Sequence, residues 1–414
     1  MELILGLLFL LLLTRVFGQG ALLVGLPQSV GELLAGVFLV LLFGFTVTDV
    51  GHEGGVFAGL LKLVHLPEIG LVAEAGIFFL VLQAGIEMKP ARIAEQSRGS
   101  FFVALGGAAL PLGLGFGAGL YLFPAGDWQV EQAFFLGVVL SITSIPASVR
   151  ILQEQGLLAS GFGQTIVAAA IFDDILGLFL LAVLTSLIGS EGVPDLATLA
   201  MLFARMALFF GVTVLLGVHV YPRVTARLKM LDLAAVEFST LLVVSLAYAA
   251  FAELMGLHWV MGAFMAGLFF EPERIGRRAY DEMRILVGGV ANGVLGPIFF
   301  VTIGLALDFD ALGQVFGLAL VLLFIAFGGK LIGAGVPARL FGHSPYEAAV
   351  VGTGMGARGA VELVVISIAL NAGLFATGGG EIVSALIATT ILSTITAALL
   401  LRWLVTRQAG RLAR

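Results

Sequence analysis

Three residues in this chain have the types and the setting that proton and cation chemistry requires. Asp173 and Asp174 are neighbours within AAAIFDDILGLFLL, and the stretch from Thr165 to Ile188 holds no other ionisable group. Lys330 stands alone in VLLFIAFGGKLIGAG. A carboxylate at the middle of a membrane helix costs about 2.5–3.5 kcal/mol on insertion scales, so two in a row need a purpose. They lie about twelve residues into an apolar run that begins near residue 162, which is about 18 Å at 1.5 Å per residue. Lys330 lies about as far into its own run. One ammonium and two carboxylates at one depth make an ion pair with one acid left over. A salt bridge that merely pins two helices would explain one aspartate only, because adjacent helical residues point about 100° apart and cannot easily grip one lysine together. The remaining acid reads as a titratable group on an ion or proton pathway.

Two further segments read as interrupted helices. In GVVLSITSIPASVRIL, Pro146 removes a backbone donor and disfavours helix at Ile145, while Ser141, Thr143, Ser144 and Ser148 supply hydroxyls at the same place. In AAVVGTGMGARGAVELVV, Gly352, Gly354, Gly356 and Gly359 loosen the backbone. An ordinary proline kink and a close-packing glycine face are the plain alternatives. Unwound backbone at membrane depth is tolerated only where it is buried in protein or lines a polar cavity. Arg358 and Glu362, one helical turn apart, can neutralise each other, or Arg358 can offset the field at the break.

The elements that position these groups follow from composition. Of the 414 residues, 60% are hydrophobic and 12% charged, with a mean hydropathy of +1.11. A soluble domain carries about twice that charged share. Runs of about 20 apolar residues recur along the whole chain, which makes it an all-α polytopic membrane protein. We count about 13 transmembrane helices, near 1–17, 30–46, 67–87, 100–122, 131–152, 162–188, 198–221, 234–253, 256–270, 286–306, 314–338, 346–371 and 381–404, the second and ninth short. The opening MELILGLLFLLLLTRVFG lacks a basic leader and a small-residue cleavage site, so it reads as a retained helix. No loop is long enough to hold a soluble domain.

Thirteen spans also sort the charges. Arg15, Lys89, Arg92, Arg98, Arg150, Arg223, Arg227, Lys229, Arg274, Arg277, Arg278, Arg284, Arg339 and the tail arginines Arg402, Arg407, Arg411 and Arg414 fall on one side. The other side receives Lys62 with Asp49, Glu53, Glu68, Asp127, Glu131, Glu191, Asp195, Asp308, Asp310 and Glu381. The positive-inside rule then puts the amino terminus outside and the carboxyl terminus in the cytoplasm, an orientation suited to a multi-pass protein of the cell inner (plasma) membrane. In this count the two breaks are seven spans apart and run in opposite directions. An inverted-topology repeat with two crossing discontinuous helices would place them so.

Other residues receive plainer readings. Ser29 and Glu32 have the spacing of a capping box at a helix start, with a vestibule acid as the alternative. Glu68 and Glu74 could line an outer entrance, though acids near a helix start are commonplace. Arg205 stands near the outer end of its span. The five histidines form no ligand cluster, and the absence of cysteine excludes thiolate metal sites and cysteine nucleophiles. No cofactor is expected, and no nucleic-acid partner. An intramembrane aspartyl protease needs acids facing each other from separate helices, a channel needs a filter or a ring of charges, and neither pattern is here.

Taken together, PQSVGELLAGVFL, LSITSIPASVRILQEQGLL followed by AAAIFDDILGLFLLAVL, GPIFFVTIGLALDF, GGKLIGAG and GTGMGARGAVELVV resemble the monovalent cation:proton antiporters. The likeness is to bacterial sodium/proton antiporters with paired aspartates, and it covers essentially the whole chain. It implies a single transporter unit that exchanges Na+ for H+ by alternating access, with K+/H+ exchange or a sodium-coupled organic-acid symporter on a related fold as alternatives. It implies a homodimer whose core elements lie near 67–188 and 286–404 and whose dimerisation or scaffold elements lie near 1–46 and 198–270. By the same resemblance Asp174 is the principal cation and proton carboxylate and the Na+ ligand, Asp173 pairs with Lys330, and Thr143 and Ser144 help to ligate the ion. Paired acids plus the lysine match the electrogenic subgroup. Relatives place an acid directly after the arginine-glycine of the second break. Here Ala360 stands there and the acid is Glu362, so the accessory roles of Arg358 and Glu362 stay open.

Overall fold

The apolar runs become helices in the computed structural model, which describes residues 2–24, 26–49, 66–88, 90–126, 128–188, 196–220, 223, 236–305, 309–359, 362, 365, 366, 369, 374, 375 and 380–412. The loop charges Glu53, Lys62, Lys89, Asp127, Glu191, Asp195, Arg227, Lys229, Asp308 and Arg414 lie outside the described residues, as does Ala360. So do the side chains of Asp49, Arg92, Arg274, Asp310 and Arg411. Among the described residues there is no β-strand.

Among the described residues the helices of ten residues or more are, in chain order, α1 (Glu2–Leu23), α2 (Gln28–Asp49), α3 (Pro67–Glu87), α4 (Pro90–Leu122), α5 (Gln129–Ser141), α6 (Ile145–Glu154), α7 (Gly161–Ile188), α8 (Leu196–Leu215), α9 (Val236–Leu254), α10 (Trp259–Leu268), α11 (Arg277–Val290), α12 (Gly296–Leu305), α13 (Phe309–Leu323), α14 (Gly329–Leu340), α15 (Pro345–Gly354) and α16 (Gly380–Leu412). Among the described residues ten spans are long and apolar enough to cross a membrane, and Gln28–Leu42 and Trp259–Leu268 are shorter apolar helices. These two are the short second and ninth spans of the sequence. The twelfth, begun by α15, is described beyond its break only at scattered positions such as Glu362 and Ile366.

Among the described residues three spans contain a π-helical turn, at Leu216–Val220, Ala291–Leu295 and Phe324–Gly328. The last two join α11 to α12 and α13 to α14. Such a turn adds one residue to the winding and shifts the register of the helix beyond it. Lys330 comes two residues after the third turn, and Asn292 lies within the second.

Packing sorts the helices into two bundles. In one, α1, α2 and α12 pack together, α3 joins α12 to α10, and α10 packs on α9. In the other, α4 is the hub, contacting α5, α7 and α14, while α13 packs on α16 and α15 on α14. The resemblance groups residues 67–87 and 286–305 with the core. By packing, α3 and α12 go with α1, α2 and α10, and the second bundle begins at α4 and resumes at α13.

Within each bundle several of the close approaches are made glycine on glycine. A Cβ on Gly36 would come within 2.1 Å of the Val301 carbonyl, and one on Gly304 within 2.2 Å of the Leu33 carbonyl. Gly85 and Gly267 cross α3 over α10 in the same way, and Gly106 and Gly333 cross α4 over α14. Small residues at such crossings let backbones pack by dispersion where lipid removes the hydrophobic driving force.

Candidate cation and proton site

The first break covers Ile142–Ser144, between α5 and α6. Helix resumes at Ile145, with Pro146 inside the first turn, where its missing N–H is no loss. The second break begins at Ala357, after α15 and its closing turn at Met355 and Gly356. The two breaks meet. Ser144 N–H donates to the Ala357 carbonyl at 2.9 Å, Thr143 Oγ1 to the Met355 carbonyl at 3.1 Å, and Ser148 Oγ to the Gly354 carbonyl at 2.9 Å. A helix that stops inside a membrane leaves carbonyls without partners. Here the hydroxyls of one break satisfy the carbonyl end of the other.

The carbonyl end of α5 is satisfied from the opposite side. Arg358 Nη1 donates to the Val139 carbonyl at 2.8 Å and Nη2 to the Leu140 carbonyl. The same Nη1 pairs with Glu362 Oε1 at 3.2 Å, and both side chains are buried. A guanidinium at a helix C-terminus meets the negative end of its dipole. The Arg358 guanidinium thus lies between the Glu362 carboxylate and the carbonyl end of α5 at the first break. Thr394 Oγ1 accepts the Arg358 N–H at 3.1 Å and fixes the backbone at that point.

Asp173 arrives on α7 with both carboxylate oxygens engaged. Oδ1 accepts from Lys330 Nζ at 2.8 Å, and Oδ2 accepts from the Thr143 backbone N–H at 2.9 Å. Asp173 is 3% and Lys330 1% exposed. Asp174 differs. It is only partly buried, and no hydrogen bond reaches its carboxylate among the described residues. Two neighbouring acids of identical chemistry thus occupy different states, one fixed and one available. Gly359 makes the crossing possible, since a Cβ there would lie 2.6 Å from Ser144 Oγ.

A second buried charge cluster corrects two readings. Ser29 and Glu32 form no capping box: Ser29 already lies in the first turn of α2, and its N–H and Oγ donate to the two carboxylate oxygens of Glu154 on α6, at 2.9 and 2.8 Å. The cap comes from another helix. Arg150, counted above among loop charges, is 3% exposed and pairs with Glu32 at 3.2 Å and Glu154 at 3.0 Å. It also donates to Asn292 Oδ1, and Asn292 Nδ2 donates to Gln83 at 2.7 Å. A charge at a predicted span end carries no sequence mark that distinguishes a loop from a buried partner. The one available signal was the pattern of Arg150, Glu154 and Glu32, which leaves one acid more than bases. Arg205, by contrast, is exposed on α8, as are Glu68 and Glu74 on α3. No cluster of three or more potential metal ligands of the His, Asp or Glu type occurs among the described residues.

Residues 5–407 match the family of sodium/hydrogen exchangers, transmembrane. The chain is 30% identical to the Na(+)/H(+)-K(+) antiporter GerN of Bacillus cereus over 89% of its own length and 88% of that protein. It is 28% identical to the Na(+)/H(+) antiporter of Enterococcus hirae over 92% of each. Its fold is similar to that of the sodium proton antiporter MjNhaP1 from Methanocaldococcus jannaschii, with a TM-score of 0.63 at 18% identity and coverage of 100% and 99%.

Proposed function

Because the chain belongs to the sodium/hydrogen exchanger family, we propose that it exchanges Na+ for H+ across a membrane, with Asp174 as the carboxylate that holds either ion in turn. The observation that carries this reading is the inequality of the two aspartates. Asp173 is fixed by Lys330 and Thr143, whereas the carboxylate of Asp174 beside it is without a hydrogen bond among the described residues.

The chemistry follows from that arrangement. Desolvation favours the neutral acid, and a bare cation favours the carboxylate. A proton and a sodium ion therefore compete for one group, and exchange follows from their mutual exclusion. Sodium takes hard oxygen ligands. Asp174 supplies two, and Thr143 Oγ1 and Ser144 Oγ keep lone pairs beyond the bonds they already make. Asp173 and Lys330 hold the carboxylate helix against the first break while the ligand changes. An additional proton moving with each cycle would make exchange electrogenic, worth about 2.3 kcal/mol per 100 mV for one net charge. Arg358 and Glu362 act by holding the breaks in register.

Alternating access would come from movement of the α4–α7 and α13–α16 bundle against the other, which would serve as scaffold and carry the homodimer contact. The charge distribution supports an external amino terminus and a cytoplasmic carboxyl terminus in the cell inner membrane. K+ in place of Na+ is the second reading, supported by the K(+) in GerN's name.

The experiment is proton efflux from proteoliposomes on addition of NaCl or KCl, with Asp174→Asn beside wild type. Cation-driven efflux that vanishes in the variant is expected, and the more effective salt names the cation. Undiminished exchange in Asp174→Asn would remove this carboxylate from the mechanism.

A further inference from the structure

We propose that the buried cluster of Glu32, Arg150, Glu154 and Ser29, extended by Asn292 and Gln83, is a latch between the two bundles that must open in every transport cycle. It lies at the seam. Glu154 and Arg150 belong to α6, which follows the first break and packs on α7 on one side and on α3 on the other, whereas Ser29 and Glu32 on α2, Gln83 on α3 and Asn292 in the π turn before α12 belong to the first bundle. Beside this cluster, α6 lies on α3 and, more lightly, α2 meets α13 and α16.

Its construction suits a contact that opens. A permanent weld between membrane helices is made of small residues at van der Waals distance, as at the glycine crossings inside each bundle. The seam carries charge instead. Glu154 caps the N-terminal turn of α2 through Ser29, and Arg150 reaches Glu32 and Asn292. Each acceptor and donor can be satisfied by water when the helices part, which an apolar contact cannot offer. Two carboxylates also face one guanidinium, and Glu32 Oε2 is buried without a hydrogen-bond partner. The closed latch is thus incompletely satisfied and poised to release. Its position gives it leverage: α6 continues directly from the break that holds Thr143 and Ser144, so a shift of α6 against α2 displaces that break relative to the scaffold.

The inference rests on the exchange reading above, and wild-type exchange in proteoliposomes tests that reading separately. The latch is tested in the same vesicles. The chain contains no cysteine, so Ser29→Cys with Glu154→Cys gives a unique thiol pair whose parent oxygens lie 2.8 Å apart. Crosslinking with a short, reducible bis-thiol reagent is expected to stop exchange, and reduction to restore it. A merely structural role would not reverse in this way. Crosslinked protein that exchanges at the uncrosslinked rate would overturn the latch, as would a pair that cannot be crosslinked at all. Should the pair fail to insert or to exchange before crosslinking, Ser29→Ala and Glu154→Gln decide the matter. Each weakens the closed state without leaving an unpaired buried cation, and each is expected to change kcat or the cation KM about threefold or more, a shift of at least about 0.65 kcal/mol. Wild-type values in both would overturn the proposal.

Discussion

Lys330 holds one oxygen of Asp173 and the backbone of Thr143 holds the other, so a single carboxylate joins α14, α7 and the first helix break. This pairing predicts an asymmetric pattern of stability. Removing one partner of a buried ion pair leaves an uncompensated charge and costs about 3–5 kcal/mol, whereas replacing both with apolar groups is often neutral or stabilising. Asp173→Leu and Lys330→Leu should each lower the melting temperature in detergent sharply. The double variant should recover most of the loss. A double variant as unstable as the sum of the singles would show that the pair is not coupled.

Arg358 is expected to tolerate no substitution, including lysine. Its guanidinium serves the Val139 carbonyl, the Leu140 carbonyl and Glu362 together. An ammonium is a point donor without that planar fork. Arg358→Lys should keep the charge yet lose about 1–3 kcal/mol through the carbonyls left unpaired, with a matching fall in exchange rate in proteoliposomes. Full activity in this variant would show that charge alone matters at the break.

Glycine substitutions should divide by place rather than by number. Gly359→Ala would set a methyl 2.6 Å from Ser144 Oγ and force the two breaks apart, whereas Gly113→Ala and Gly117→Ala on α4 meet nothing within 4 Å. The α4 changes should be silent or slightly stabilising, since alanine favours helix by about 0.8–1.0 kcal/mol over glycine. Parallel measurement of melting temperature and exchange in the three variants checks the contrast.

Thr143→Val separates two functions of one residue. The backbone N–H to Asp173 survives, but the hydroxyl bond to the Met355 carbonyl and the oxygen offered to a cation are lost. The expected result is a folded protein with a raised cation KM and a smaller change in kcat. An unchanged KM would remove Thr143 from the ligand set and leave it a capping residue.

Much of this fold is legible in the residues. Apolar runs of membrane length mark the spans, and the interruptions around Pro146 and Gly356 mark both breaks. What cannot be read is which polar atom satisfies which. The hydroxyls of Thr143 and Ser148 announce a polar place, yet their partners stand more than two hundred residues away. Ser29 and Glu32 show the limit most plainly. Their local spacing fits a capping box, but Glu154, more than a hundred residues on, fills that role and frees Glu32 for Arg150. Local propensity is a weak prior that tertiary partners override. The packing of α3 and α12 on α1, α2 and α10 was equally hidden, because an apolar helix does not display in its letters which neighbour its face will meet.

The paired glycine crossings lie inside one bundle or the other: α2 with α12, α3 with α10, α4 with α14. Each bundle is thereby a stiff body, and sliding one past the other need not deform either. The free-energy difference between conformations is then settled along the seam, by a small number of side chains. A lineage could retune the resting conformation, and with it the conditions under which transport switches on, by a few replacements there, leaving the ion site and both scaffolds as they are.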